Sequence, residues 1–600
     1  MKKYTFDNKK RGLSLVEVVV GAFIFALIAV SVYSGYSRLL MGATLLRAKT
    51  AAIDLANEEF EIIRNMSYSE VGIPGGIPNG LVPHIQTLTR GGTNFVLTTT
   101  IRNYDDPYDS LAGGTPKDLS PADSKVVEVS IACPTCKDFT PLEMTTKVAP
   151  KSLESASNNG TLFVKVFDAS GNPLQGANVH VENNTKTPKI LIDDTTDNDG
   201  MLEIIDAPPG NAVYEITATN DGYSTDKTYK PGVIGNTNPV KPHATVVKQQ
   251  VTQMSLSIDK VSTLNITSTR SDCVPEAGVN FNLRGVKLIG ISPSVIKYNQ
   301  NFVTDDDGSI TIPNVEWDTF ALTLTGTTLD IVGVTPFSPV QINPGSIQNI
   351  SMVVDTVSPR RLLVTVKDSA GLPVTDADVT LKRLTYSSEK ITGRGYSAQS
   401  SWVGGAGQEI FSDITKYSSS NGNVDVTTVP GQIQLRKTLG LYALNGSLIS
   451  STFDAGVSSN FHEIFWNPVT NPPASGTSSV LFQIATSDST STPWVFTGPD
   501  GTTTSFYTLT NKTINSSNNG KRYFRYKTYL NTDSATNTPI VSDVYVTFNT
   551  SCTPAGQVSF PNLVSGTYTL TITKPGYTTF SQSVGVSANW KEQIVILNSI

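Results

Sequence analysis

Few residues in this chain are of types that do chemistry, and they are scattered. The four histidines, His84, His180, His243 and His462, are far apart, and so are most of the four cysteines. The closest pair is Cys133-Pro-Thr-Cys136. In a tight turn between strands the two Cα atoms would fall within about 7 Å, which suits a disulfide. A thioredoxin-type pair wants a helix N-terminus behind the first cysteine. A zinc site needs two more ligands, and none cluster nearby. Reduced thiols are the fourth reading. Asp105, Asp106 and Asp109, Asp197 and Asp199, and Asp305 to Asp307 form acidic turns without the EF-hand spacing or its closing glutamate. No HExxH, P-loop, GxSxG or GxGxxG-plus-acid motif occurs. These patterns lead us to expect no enzyme, no cofactor and no bound metal.

One carboxylate is out of place. Lys2, Lys3, Lys9, Lys10 and Arg11 precede Gly12, and from Leu13 to Tyr33 the only charge is Glu17. The run is about the 20 apolar residues that cross a bilayer. The basic flank places the N-terminal end in the cytoplasm and the rest outside. A secretory signal would be shorter and would end at an A-x-A-like site, which SVYSGYSRLL does not offer. A carboxylate deep in a membrane helix costs on the order of 2.5–3.5 kcal/mol, so it needs a partner. No cation within the run can reach it. Cutting behind Gly12 would free an α-amine on Leu13, four residues from Glu17 on one helix, or within reach of Glu17 on a neighbouring subunit.

The stretch G12-L13-S14-L15-V16-E17 resembles the class III signal of type IV pilins and type II secretion pseudopilins, in which a glycine is followed by Phe-Thr-Leu-Ile-Glu. The resemblance implies cleavage between Gly12 and Leu13 by a prepilin peptidase and N-methylation of Leu13. It also implies assembly through Glu17 and a neighbour's N-terminus. Leu13 replaces the usual Phe, and the first proline is Pro74.

The elements that must position these residues follow. Ala52, Leu55, Ala56, Phe60 and Ile63 recur at helical spacing, with Asp54, Glu58, Glu59, Glu61 and Arg64 on the other face. The helix therefore continues past the membrane to hold a head. Alternation in 94–103, 124–133 and 140–149 predicts an antiparallel meander there. Beyond it GNPLQGANVHV, PEAGVNFNL and GLPVTDADVTL place Ala177, Ala277 and Ala377 100 residues apart. Each is followed by a glycine turn, a strand, a turn and a strand with an early aromatic. These units resemble the carboxypeptidase regulatory-like domain, an Ig- or transthyretin-like sandwich, which implies spacer or adhesive modules without an active site. Val179 and Tyr214 are 35 residues apart, Val279 and Phe320 are 41, and Val379 and Tyr568 are 189. About 150 residues are thus inserted in the third unit, at a loop where insertion costs little.

The expected fold is a mainly β multidomain chain. An N-terminal long α-helix with a small pilin-like sheet precedes tandem Ig-like β-sandwiches, one interrupted by an inserted β-sandwich. The expected boundaries are a leader at 1–12, helix at 13–66, head at 67–151 and linker at 152–160. Repeats follow at 161–258, 261–355, and 359–392 with 551–600, and a jelly-roll-like insert at 393–550. Trp402, Trp466 and Trp494 are the insert's candidate contacts for a glycan or protein ligand. Cys273 and Cys552 are left either unpaired or joining the second and third repeats. A net charge of -6 argues against a nucleic-acid partner. The expected role is a minor pilin or pseudopilin in the cytoplasmic membrane, displaying β-modules outside. Its partners would be a prepilin peptidase, other pilin subunits, the inner membrane and a surface ligand. The alternative is an anchored adhesin or carbohydrate-binding protein that never polymerises.

Overall fold

The structure is a computed structural model, and it describes residues 14–151, 156–410, 413, 415–476, 479–491 and 493–600. The chain divides into two compact units. One runs to Asp259 and includes residues 288–295; the other comprises 260–287 and 296–600.

The first unit begins with helix α1, Leu15–Asn65. A continuous apolar and helix-forming run carries it, and it ends where Met66 turns to extended backbone, its N–H donating to Ile63 O. Its first buried residue is Ala48, after which Ala52, Leu55, Ala56, Phe60 and Ile63 face inward at spacings of three and four. They pack on Phe95, Leu97, Val127, Val129 and Ile131. These side chains come from an antiparallel meander of Ile85–Arg90, Thr93–Tyr104, Ser124–Ala132 and Leu142–Val148. Three of the four strands match the alternation read from the sequence. Ile85–Arg90 is an addition, paired through the Arg90–Thr93 turn.

The first β-sandwich belongs to the same unit. Gly160–Phe167 pairs parallel with Val251–Ser257 and antiparallel with Met201–Ala207. The facing sheet is built from Asn178–Asn183, Ile190–Thr195 and Gly210–Thr219. Leu162, Val164, Val179, Val181, Tyr214 and Ile216 form its core. Arg102 of the head ties the two parts together, bonding Glu128 on its own sheet and both oxygens of Asp194 on the sandwich. Asn103 Nδ2 donates to Ile205 O at 2.9 Å. Residues 152–155 of the expected linker lie outside the described residues.

Residues 288–295 fall between strands of the second repeat in sequence, yet they join the first unit. Val240 N donates to Ile289 O, and Ile291 N to Asn238 O.

In the second unit the same pattern recurs. Ser262–Arg270 pairs parallel with Ile347–Thr356, and Arg361–Asp368 pairs parallel with Trp590–Leu597. The third sandwich is discontinuous. Arg361–Asp368 also pairs with Gln557–Phe560, and Asp378–Arg383 pairs with Gly566–Thr573. The early aromatic explains itself structurally. Tyr214 Oη donates to Pro208 O and Tyr568 Oη to Val564 O, closing the preceding turn in two repeats. Phe320 takes that place in the second repeat and is fully buried.

Between Ile391 and Gln557 lies the insert. Among the described residues it has a nine-stranded sheet built around Phe453–Asn467. A bulge between Asp454 and Ser459 lets this strand pair first with Lys521–Asn531 and then with Asp543–Asn549. The extra residues bend the sheet onto itself, enclosing Trp402, Trp466, Phe482, Tyr507, Phe524 and Tyr526.

Candidate functional site

The N-terminal end of α1 is the first candidate. Ser14 caps the helix: Glu17 N donates to Ser14 Oγ at 3.2 Å, and Ser14 N donates to Glu17 Oε2 at 2.9 Å. This is a capping box, in which one carboxylate and one hydroxyl satisfy two amides that the helix leaves unpaired. The S14-x-x-E17 spacing carries that signal, and sequence reasoning aimed at Glu17's charge alone passed over it. Gly12 and Leu13, the expected cleavage and methylation positions, lie outside the described residues.

Apart from Glu17, Leu15 to Tyr36 is uncharged, mostly apolar and wholly surface-exposed, with Phe25 at 74% and Leu39 just beyond at 75%. That segment is about 33 Å long at 1.5 Å per residue, matching a hydrocarbon core of about 30 Å. Its two serine hydroxyls are paired within the helix: Ser31 Oγ donates to Leu27 O and Ser34 Oγ to Ser31 O. The helix is therefore a candidate single membrane anchor by length, composition and lack of packing partners among the described residues.

Cys133 and Cys136 are joined by a disulfide with Cα atoms 5.3 Å apart. The bridge closes the turn between the last two head strands, where Cys136 N donates to Cys133 O at 3.1 Å. Cys273 and Cys552 form a second bridge, with Cα atoms 5.7 Å apart and a sequence separation of 279.

The acidic head loop turns its carboxylates on its own backbone. Asp105 Oδ2 accepts from Ala112 N at 2.7 Å, and Asp118 Oδ1 accepts from Ser120 N at 2.8 Å. Asp123 Oδ2 accepts from Asp106 N. Burial pushes the Asp105 carboxyl up to about 6, with the nearby charges of Asp118, Asp123 and Glu203 adding to the effect. Among the described residues no group of three or more His, Cys, Asp or Glu is placed to hold a metal ion.

The tryptophans require a correction. Trp402 is 0% exposed and Trp466 is 3% exposed. Trp402 Nε1 donates to Tyr526 Oη, which donates to Gln399 Oε1. Trp466 lies 4.6 Å from the Phe482 ring. Both belong to the core and offer no face to a ligand. For Trp466 strand parity is the reason, since it is in phase with Ile464, which is fully buried. The neighbour Phe465 instead points to the outer face and stacks on Tyr545 at 4.6 Å with rings 6° from parallel. Trp494 alone of the three is partly exposed. The Arg525 guanidinium lies 4.6 Å over its ring and is held by Thr452 Oγ1 and Glu409 O.

No protein-family model matches the chain, and no curated protein does. Several solved structures are similar to parts of it. The Bacillus anthracis TIE protein has 15% identity, covering 52% of this chain and 68% of that one, with a TM-score of 0.15. A minor pilin of Streptococcus agalactiae has 14% identity over 33% of this chain and 96% of its own, with a TM-score of 0.17. A streptococcal ancillary pilin has 10% identity over 74% and 99%, with a TM-score of 0.14. At these scores the likeness carries no argument about function.

Proposed function

We propose that the chain is a minor pilin-like or pseudopilin-like subunit. Helix α1, released behind Gly12 and methylated on Leu13, joins a type IV pilus or type II secretion-like filament. The β-modules then stand outside the cell, with the insert as the contact domain for a surface glycan or protein. The observation that carries this reading is the division of labour along α1. One end is an exposed apolar rod with a single carboxylate at its start. The other end is the packed spine of a four-stranded head. A prepilin peptidase, sister subunits and the inner membrane are the partners this requires. The test is fractionation: the chain should co-purify with sheared surface filaments in cells that have prepilin peptidase. It should stay in the membrane, longer by the leader, in cells that lack it.

A second reading is favoured by one observation, the capping box. Because Ser14 and Glu17 satisfy each other, Glu17 has a local role that needs no neighbour. A membrane-anchored adhesin that never polymerises would keep that cap. Such a protein would be absent from sheared filaments whether or not the peptidase is present.

A further inference from the structure

The insert is fastened to the second repeat at three places. Cys552, just past its last strand, is bonded to Cys273, which follows the Ser262–Arg270 strand. Thr550 Oγ1 lies 3.2 Å from Cys273 Sγ. Gly456, at the bulge of the insert's long strand, has φ +83, and a Cβ there would collide with Asp272 O. The insert and the 270–273 turn therefore touch backbone to backbone at a point only glycine permits. Gln557, five residues beyond Cys552, is buried and bonded twice. Its Oε1 accepts from Val334 N of the second repeat, and its Nε2 donates to Thr365 Oγ1 of the third.

The peptide chain connects the same parts by a much longer route. From the insert it runs back through residue 393 and the strands Tyr386–Ile391, Asp378–Arg383 and Arg361–Asp368. The last two of these strands find partners on the other segment of the split repeat. A pull applied to the insert along this route would peel one segment from the other. It would then act on the second repeat from Thr356 back to Ser262.

We propose that the Cys273–Cys552 bond is a tension bypass. Force applied to the insert passes from Cys552 to Cys273 and down the single strand Ser262–Arg270, skipping the third repeat and the rest of the second. That strand is held on one side by Ser309–Val315 and on the other by Ile347–Thr356. It is already extended at about 3.3 Å per residue, near the limit of the chain, so pulling its ends releases almost no length. The inference rests on the reading that the insert contacts something outside the cell, where a disulfide persists.

The experiment is single-molecule stretching of the full chain in a nanodisc, held at its N-terminal end and through a peptide tag inserted at exposed Thr536. In the oxidised protein the part beyond Lys260 should release well under about 100 Å, the full extended length of the roughly 30 residues in the path, since the strands Ser262–Arg270 and Asp543–Asn549 within it are already extended. Adding reductant to the same molecules should add further release, on the order of 900 Å, as roughly 260 bypassed residues enter the path. The Cys133–Cys136 bridge spans a separation of 3 and contributes at most about 10 Å. A Cys273→Ser, Cys552→Ser double variant should behave like the reduced protein. Equal release with and without reductant would overturn the proposal, as would free thiols at both positions in native protein. The readout needs no filament, so it stands or falls separately from the assembly reading.

Discussion

At the scale of single residues, Glu17 has two roles that a substitution can separate. Glutamine serves at the third helical position of a capping box but carries no charge. Under the assembly reading, Glu17→Gln keeps the helix cap and the anchor yet abolishes entry into filaments, because the charge pair with a neighbour's amine is gone. If subunits of this variant still appear in sheared filaments at the normal level, the charge is dispensable. Asp105 gives a second test. Its folded pKa is raised to about 6 by burial, above the unfolded value of about 3.9. Folding then favours the protonated form, so the ionised group destabilises the fold as pH rises through 4 to 6. Asp105→Asn should stabilise the head by roughly 1 kcal/mol at pH 7.5, allowing for solvent screening, with no gain at pH 4. Denaturant melts at the two pH values check the sign. Glu17 stands out in the sequence as the one charge in an apolar run, and the structure gives it a local role in capping the helix. Its partner Ser14 was missed because a hydroxyl at a helix start looks ordinary.

At the scale of elements, alternation was a reliable guide to which runs are strands and a neglected guide to which side faces in. Phe465 and Trp466 are adjacent, so a strand must bury one and show the other. Their parity with Ile464 was open to reading, but ring size drew attention to the tryptophans. Trp466→Ala should cost about 3–5 kcal/mol of the insert's stability, from lost burial and the cavity left behind. Phe465→Ala, on the partly exposed outer face, should cost clearly less. Thermal unfolding of the two variants decides between these assignments, and a reversed order would contradict them. The Ile85–Arg90 strand escaped notice because the Gly-Gly turn at Gly91 and Gly92 makes the run look like loop. The hairpin strand Leu288–Ile291 escaped because it is short and leaves its own repeat to bond the 236–240 loop.

At the scale of the whole molecule, the recurring sandwiches and the interruption of the third were legible. They rest on spacing between paired motifs, which an insertion of about 150 residues changes in one place only. The Cys273–Cys552 pairing was not legible, since tertiary contact alone brings together residues at a separation of 279. Nor was the buried charge cluster that joins the second and third repeats. Arg361 Nε lies 3.0 Å from Asp330 Oδ2 and its Nη2 3.1 Å from Asp355 Oδ2, with the Arg361 and Asp330 side chains nearly inaccessible. Removing one member strands a buried charge, so Arg361→Met should cost about 3–5 kcal/mol. The loss should appear as earlier unfolding of the second and third repeats together in hydrogen exchange, and exchange confined to one repeat would argue against a shared junction.

Entry of α1 into a filament depends most on how the mature chain begins. N-terminal peptide mass mapping of protein recovered from cell envelopes tests this directly. The expected result is a terminus at Leu13 carrying one added methyl group. A terminus at Met1 or Lys2, or a cut anywhere other than behind Gly12, would contradict it.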